Sequence, residues 1–252
     1  MNIVIPMAGR GTRLSSHSSG LPKPLISVAG KPLWAWASGC LPIESATRVV
    51  FVALQEMDRL YSIRASIAAT SGLESAEVIL LDAPTDGQLR TVMEARGVLD
   101  PDVPTVVFNA DTWFDHDEAV FEQLLSEHAG VLGVSNRRGD QWSFVELDAG
   151  GRVTRVVEKK RISDVVCTGL YAFRDTRALF GDADEMFRRG LTSAGEYFVA
   201  PLYDLMLARG ESVSVCTARE FAPLGTPEEL AEFEDLIQSR GLGAAGESAS
   251  TA

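Results

Sequence analysis

MNIVIPMAGRGTRLSSHSSGLPKPL, residues 1–25, carries a short apolar run, a glycine loop and a Pro-Lys-Pro triplet in succession. Ile3 to Ile5 is a short apolar run of the kind that forms a strand buried on both faces. A loop with Gly9, Arg10, Gly11, Thr12 and Arg13 follows, and Pro22, Lys23 and Pro24 come after a polar spacer. Glycines directly after a first strand let the backbone approach a ligand closely, and their N–H groups can cradle phosphate oxygens. Arg13 supplies a planar fork of donors and Lys23 a point charge, a combination suited to a polyphosphate. Two common phosphate loops are excluded. Gly9-x-Gly11 lacks the third glycine of a dinucleotide fingerprint, and no Gly-Lys-Ser/Thr run is present to form a P-loop.

Outward from this loop, apolar runs alternate with helical patterns. Arg48–Leu54, Glu77–Leu81 and Pro104–Phe108 read as strands, and residues 31–40, 58–69 and 88–98 as helices. Continuous apolar strands separated by helices predict a parallel sheet covered on both faces. The pattern then changes. A helix is expected over 115–128, with Asp115 as N-cap and Glu118 three residues on. Strands are expected over 130–135, 142–147, 153–158 and 165–173, with a hairpin at Gly150-Gly151. A helix over 196–209 ending at Gly210, a strand over 212–216 and a helix opened by Thr226-Pro227-Glu228-Glu229 complete the pattern. The expectation is one α/β domain with a Rossmann-like, mixed but mainly parallel sheet and helices on both faces. Residues 1–130 form its nucleotide-binding half, residues 131–240 its acceptor-binding half, and residues 241–252 a disordered tail.

Composition sets the outer bounds. A net charge of −12 argues against a nucleic-acid surface, so anionic substrates must be held by local cations and a divalent metal, Mg²⁺. Cys40, Cys167 and Cys216 are odd in number and far apart, as reduced thiols of a cytoplasmic protein are. The first residues lack the basic start and apolar core of a signal peptide, and no apolar run approaches the ~18 residues of a membrane span. His17, His116 and His128 are not spaced as metal ligands. Self-association stays open.

The G-x-G-T-R-L loop with its downstream Pro-Lys-Pro resembles the opening loop of nucleotidyltransferases that activate sugars and other phosphorylated small molecules. These enzymes share a GT-A-like fold. The resemblance runs from residue 2 to about residue 237. It is closest to a bacterial, cytidylyltransferase-like subgroup, on Trp142-Ser143, Val157 to Asp164, Gly195 to Tyr203 and Leu224 to Leu230. It implies an enzyme that joins a nucleoside triphosphate, CTP in the first instance, to a phosphorylated acceptor with release of pyrophosphate. Arg13 and Lys23 would serve the triphosphate, and Asp111 would hold Mg²⁺ at the carboxyl end of its strand, within Asn109-Ala110-Asp111. Met7, Ala8, Gly9, Gly11, Thr12, Gly87, Gln88 and Asn109 would line the nucleotide. Lys159 would bind the acceptor phosphate, with Trp142, Glu158, Gly169 and Glu196 around the acceptor.

The chain departs from the pattern at one place. Where thymidylyl- and uridylyltransferases of this fold carry a second metal aspartate, Pro223 and Leu224 stand. Either Asp111 acts with phosphates and water, or Glu158, Glu196 or Glu220 completes the site. The alternatives are a sugar-1-phosphate thymidylyl- or uridylyltransferase, a GT-A glycosyltransferase, for which Asn109-Ala110-Asp111 is half a D-x-D motif, and a non-catalytic nucleotide-binding module.

Overall fold

In a computed structural model, which describes residues 1–9 and 20–242, the opening run Asn2–Pro6 is strand β1, at the centre of the main sheet. Lys23–Leu25 forms a 3₁₀ turn, Ser27–Val28 (β2) pairs with Lys31–Pro32 (β3), and Leu33–Ser38 is helix α1. Next come β4 (Arg48–Leu54), α2 (Gln55–Tyr61), α3 (Ile63–Ala68), β5 (Glu77–Leu81), α4 (Gln88–Met93) and β6 (Thr105–Phe108). The second half holds β7 (Thr112–Asp115), α5 (Glu118–Glu127), β8 (Gly130–Ser135), β9 (Ser143–Leu147), β10 (Val153–Glu158) and β11 (Val166–Phe173). It ends with α6 (Thr176–Arg189), α7 (Leu202–Ala208), β12 (Val213–Thr217), β13 (Glu220–Pro223) and α8 (Pro227–Ser239).

β6, β1, β4 and β5 are parallel neighbours, as the apolar runs predict. β11 joins β6 antiparallel and carries β8 and β9 antiparallel to itself; β10 pairs with β9, and β12 with β8. Strand period sorts the side chains onto two faces. Val4, Val50, Val52 and Val107 enter one core with Leu89, Phe180 and Tyr203 from α4, α6 and α7. Ile3, Ile5, Phe51 and Phe108 enter the other with Met57, Ile63 and Phe121 from α2, α3 and α5. A third cluster, Trp36, Trp113, Leu224, Phe233 and Ile237, packs α1 and α8 over the β7–β13 pair.

Several expected elements are shorter or shifted. The helix expected over 58–69 is two helices broken at Ser62, whose left-handed φ of 53° cannot continue an α-helix. The cap of α5 is Asp117, whose side chain accepts from the Val120 N–H. Asp115 instead lies in β7, so Asp-x-Asp offered two carboxylates and the strand took the first. Residues 196–201 are not helical, and α7 starts only at Leu202 after Pro201. Helix α6 and strand β13 were absent from the sequence reading. The tail from 243 on lies outside the described residues. Among the described residues, no helix is long and apolar enough to cross a membrane.

The thiols are as the sequence suggested: Cys40, Cys167 and Cys216 are free. Burial pushes the Cys40 thiol up to about 12 and the Cys216 thiol to about 11, so neither ionises near neutral pH.

Candidate active site

Pro22 and Pro24 set the backbone of the 3₁₀ turn that carries Lys23, with the Leu25 N–H donating to the Pro22 carbonyl at 2.9 Å. The Lys23 ammonium hydrogen-bonds the Asp111 carboxylate; the lysine side chain is 11% exposed and the aspartate 36%, so the carboxylate faces solvent. Asp111 lies between β6 and β7, just past the carboxyl end of a parallel strand, where ligands bind in open α/β sheets. Its carbonyl accepts the Leu224 N–H at 2.9 Å. Gly225 backs the pair: a Cβ there would lie 3.4 Å from Lys23 Nζ and 3.0 Å from a Glu229 carboxylate oxygen. That carboxylate accepts the Gly225 N–H at 2.7 Å, while the Thr226 hydroxyl caps α8 through the Glu229 N–H at 3.2 Å.

Two residues before Asp111, the Asn109 side-chain oxygen accepts from the Gln88 amide. Gln88 opens α4, and Gly87 before it has φ of 138°, a conformation other residues rarely adopt. Asn109 is braced from β11. There the pairing with β8 slips by two residues between Cys167 and Tyr171, and Gly169 bulges out with φ of 95°. The Asn109 N–H donates to the Gly169 carbonyl at 3.1 Å, and a Cβ on Gly169 would lie 2.6 Å from the Asn109 side chain. The room that Gly169 leaves is therefore occupied by Asn109.

The third group lies at the end of β10. The Ser143 hydroxyl bonds the Glu158 carboxylate and lies 3.5 Å from the Tyr171 hydroxyl. Burial first, then the neighbouring Cys167 thiol and the Glu158 carboxylate, hold the Tyr171 phenol well above its ordinary pKa, with Asp111 adding to the effect. Lys159 follows in a left-handed conformation, φ 53°, its N–H donating to the Trp142 carbonyl at 2.8 Å. Its ammonium lies 3.5 Å from the Glu196 carboxylate and 4.1 Å over the Phe198 ring. The Trp142 ring turns elsewhere, edge-on to Phe221 at 5.8 Å with its N–H on the Arg138 carbonyl.

Residues 193–198 connect these groups. The Tyr197 N–H donates to the Asp86 carbonyl at 3.0 Å and the Leu89 N–H to the Tyr197 carbonyl at 2.9 Å, one bond on either side of Gly87. Gln88 and Glu196 are thus carried on two segments that share a backbone pairing.

Of the sequence-derived residues, the fold brings Lys23 onto Asp111, Gln88 onto Asn109, Gly169 against Asn109 and Lys159 onto Glu196. Met7 and Ala8 are buried at the end of β1, where the Met7 N–H donates to the Val52 carbonyl at 2.7 Å, and Gly9 is exposed. Gly11, Thr12 and Arg13 lie outside the described residues. Of the three glutamates offered as a second metal ligand, Glu196 pairs with Lys159, Glu158 bonds Ser143, and Glu220 pairs with Arg240. Ser143, Phe198 and Tyr197 received no role from sequence. The helix expected over 196–209 includes Phe198 and so gives no sign of its position over Lys159. Among the described residues, no three His, Cys, Asp or Glu side chains converge on one point as a metal cage would require. The partly exposed Asp111 carboxylate nevertheless suits Mg²⁺, which keeps several waters and is held largely by substrate phosphates.

The profile of the nucleotidyl transferase family matches residues 3–232. The bifunctional protein GlmU of Ralstonia nicotianae is 30% identical over 250 residues, covering 94% of this chain and 52% of that protein. CMP-5'-(3-aminopropyl)phosphonate synthase of Streptomyces rubellomurinus is 30% identical over 230 residues, covering 87% of this chain and 36% of that one. The chain spans about half the length of the GlmU relatives it matches end to end. Among solved structures, a nucleoside-diphosphate-sugar pyrophosphorylase from Vibrio cholerae superposes with a TM-score of 0.76 at 27% identity, covering 92% of this chain and 99% of that one.

Proposed function

The chain belongs to the nucleotidyl transferase family, and we propose that within it this protein condenses CTP with a small acceptor bearing a phosphate or phosphonate. An oxygen of the acceptor's phosphorus group bonds to the α-phosphorus of CTP. The bond from that phosphorus to the α,β-bridging oxygen breaks, and pyrophosphate leaves with the released electron pair. Such a displacement needs alignment and charge neutralisation more than covalent help from the protein.

The observation that carries the reading is the spacing of charge along one strip. The Lys23–Asp111 pair and the Gln88–Asn109 pair flank Ala110 at the end of β6, and the Lys159 cluster is joined through Tyr197 to Asp86 and Leu89, on either side of Gly87-Gln88. Lys23 is placed to offset triphosphate charge, and Asp111 to hold Mg²⁺, which when bound supplies further neutralisation of the phosphates. Gln88 and Asn109 offer amide donors and acceptors to a base or ribose edge. Lys159 is placed to take the acceptor's anionic end.

An acceptor with an ammonium at its other end suits the same cluster. Glu196 and Phe198 already cradle one ammonium, that of Lys159. When Lys159 turns to an acceptor phosphorus group, that cradle is left with a carboxylate and a ring face, the pair that binds an ammonium. A zwitterion replaces the internal ion pair charge for charge. The relative that makes a CMP-(3-aminopropyl)phosphonate supports this class. The test is pyrophosphate release with Mg²⁺ and each of CTP, UTP, dTTP, ATP and GTP, against 2-aminoethylphosphonate, phosphocholine, ethyl phosphate and glucose 1-phosphate. The expected result is turnover with CTP and the ammonium-bearing acceptors, at least about tenfold above the other triphosphates, roughly 1.4 kcal/mol of discrimination. Preference for UTP or dTTP with glucose 1-phosphate would establish instead the sugar-activating reading that the Vibrio pyrophosphorylase favours.

A further inference from the structure

Arg90 lies two residues past Gln88 in α4, and its side chain packs on Phe187 of α6. Its guanidinium stacks 3.7 Å from the Phe187 ring centroid, lies 5.0 Å from the Tyr197 ring and reaches Asp86 at 3.3 Å. The Phe187 and Tyr197 rings meet edge to face at 4.8 Å. Arg90 therefore sits beside Tyr197, the residue that separates Glu196 from Phe198, and the end of helix α6.

Few backbone bonds tie residues 193–198 to the rest of the described chain. These residues turn through left-handed Ala194 (φ 51°) and Gly195 (φ 81°), closed by the mutual backbone bonds of Ser193 and Glu196. Among the described residues, the backbone bonds that tie this segment to another part of the chain are the two that straddle Gly87. Gly87 is pressed so close that a Cβ there would lie 2.3 Å from the Tyr197 carbonyl oxygen. A two-bond attachment fixes where Tyr197 lies but leaves rotation about it, and the ring of Tyr197 is the lever that sets that rotation. Arg90 and Phe187 hold the ring.

We infer that Arg90 is a positioning residue for the acceptor: stacked on Phe187 and set against the Tyr197 ring, it fixes Glu196 and Phe198, although it belongs to the helix that carries Gln88. The inference rests on the reading that Glu196, Phe198 and Lys159 face the acceptor. A stacked guanidinium restricts the ring through contact as well as charge, and lysine reproduces the charge with poorer stacking.

The experiment compares steady-state constants of the wild type with Arg90→Ala, Arg90→Lys and Lys159→Ala. It uses the pair that turns over fastest among CTP with 2-aminoethylphosphonate, CTP with phosphocholine and UTP with glucose 1-phosphate. Arg90→Ala is expected to raise KM for the acceptor about tenfold while KM for the triphosphate and kcat change less than about threefold. Arg90→Lys should recover part of the loss. A merely structural role would instead lower kcat through a smaller folded fraction and leave both KM values in place. An unchanged acceptor KM in Arg90→Ala, with Lys159→Ala raising it, overturns this inference alone. If neither variant moves the acceptor KM, the assignment of the acceptor side falls as well. Absence of turnover with every pair overturns the proposed function and this inference together.

Discussion

The two sides of the site are built differently. On the side we assign to the nucleotide, β6, β1, β4 and β5 run parallel in unbroken register, and the candidate groups stand past their ends: Met7 to Gly9, Gly87 with Gln88 at the start of α4, and Asn109 to Asp111. On the acceptor side the groups sit in or beside antiparallel strands: Ser143 in β9, Glu158 in β10, Gly169 in the β11 bulge and Glu196 on an irregular segment. A loop past a parallel strand is free to carry any side chain toward a ligand, because the strand's own residues are committed to the two cores. An antiparallel edge uses alternation and bulging instead, so the same chemistry depends on pairing register.

The contrast breaks most sharply at Asp111, just past β6. Its carboxylate holds Lys23, and its own backbone carbonyl is tied to Leu224. Asp111→Asn keeps the side chain's volume and the backbone tie while removing the charge. We expect kcat to fall by about 10²-fold or more, at least roughly 2.7 kcal/mol, with the circular dichroism spectrum retained. Near-normal kcat at saturating Mg²⁺ would remove this carboxylate from the reaction.

The same difference explains what the sequence disclosed. Strands β1, β4, β5 and β6 are continuous apolar runs and were legible from pattern, whereas Asp111, which follows one of them, was singled out with the help of the family resemblance. Residues 196–198 were not. Phe198 and Leu202 are four apart, as on one face of a helix, and the pairing of Tyr197 with Asp86 and Leu89 pulls the chain out of that helix. That contact joins residues over a hundred positions apart, beyond the reach of local periodicity. Asp115 was misread for a related reason, since β7 is a strand only through its pairing with β13, whose residues come after position 219. Gly169, expected around the acceptor, lies in a bulge that allows the close approach of Asn109, a contact local pattern does not reveal.

The two lysines sharpen the comparison kinetically. Lys23 is bonded to Asp111 on the nucleotide side, and Lys159 to Glu196 on the acceptor side. Lys23→Ala should depress turnover with every acceptor by the same factor, because triphosphate and leaving pyrophosphate are common to all. Lys159→Ala should raise KM for the acceptor about tenfold, roughly 1.4 kcal/mol, with a smaller change at saturation. Initial rates over a two-substrate grid separate the cases. Weakened CTP binding as the sole effect of Lys159→Ala would show that the two sides have been assigned the wrong way round.

The smallest effect belongs to neither side and serves as their control. His116 follows β7, stacked at 4.5 Å on Phe114 and edge-on to Phe121 at 5.6 Å. Its Nε2 is buried without a hydrogen-bond partner among the described residues, which a neutral ring tolerates and an imidazolium does not. Burial is the main cause holding its pKa below the usual 6.5; the Asp115 carboxylate pulls it back up, and Arg219 pushes it further down. A histidine whose folded pKa is depressed binds its proton more readily in the unfolded chain. The stability tied to its neutral form is therefore complete above about pH 6.5 and is lost as pH falls from there through the folded value. Urea unfolding at pH 7.5 and 5.5 should show the wild type losing more stability than His116→Phe, which keeps the ring contacts and has no proton to bind. At pH 7.5 that variant should keep the wild-type values of kcat and both KM, since the ring lies outside both sets of candidate groups. Equal losses of stability in the two proteins would mean that His116 is as easily protonated in the folded chain as in the unfolded one.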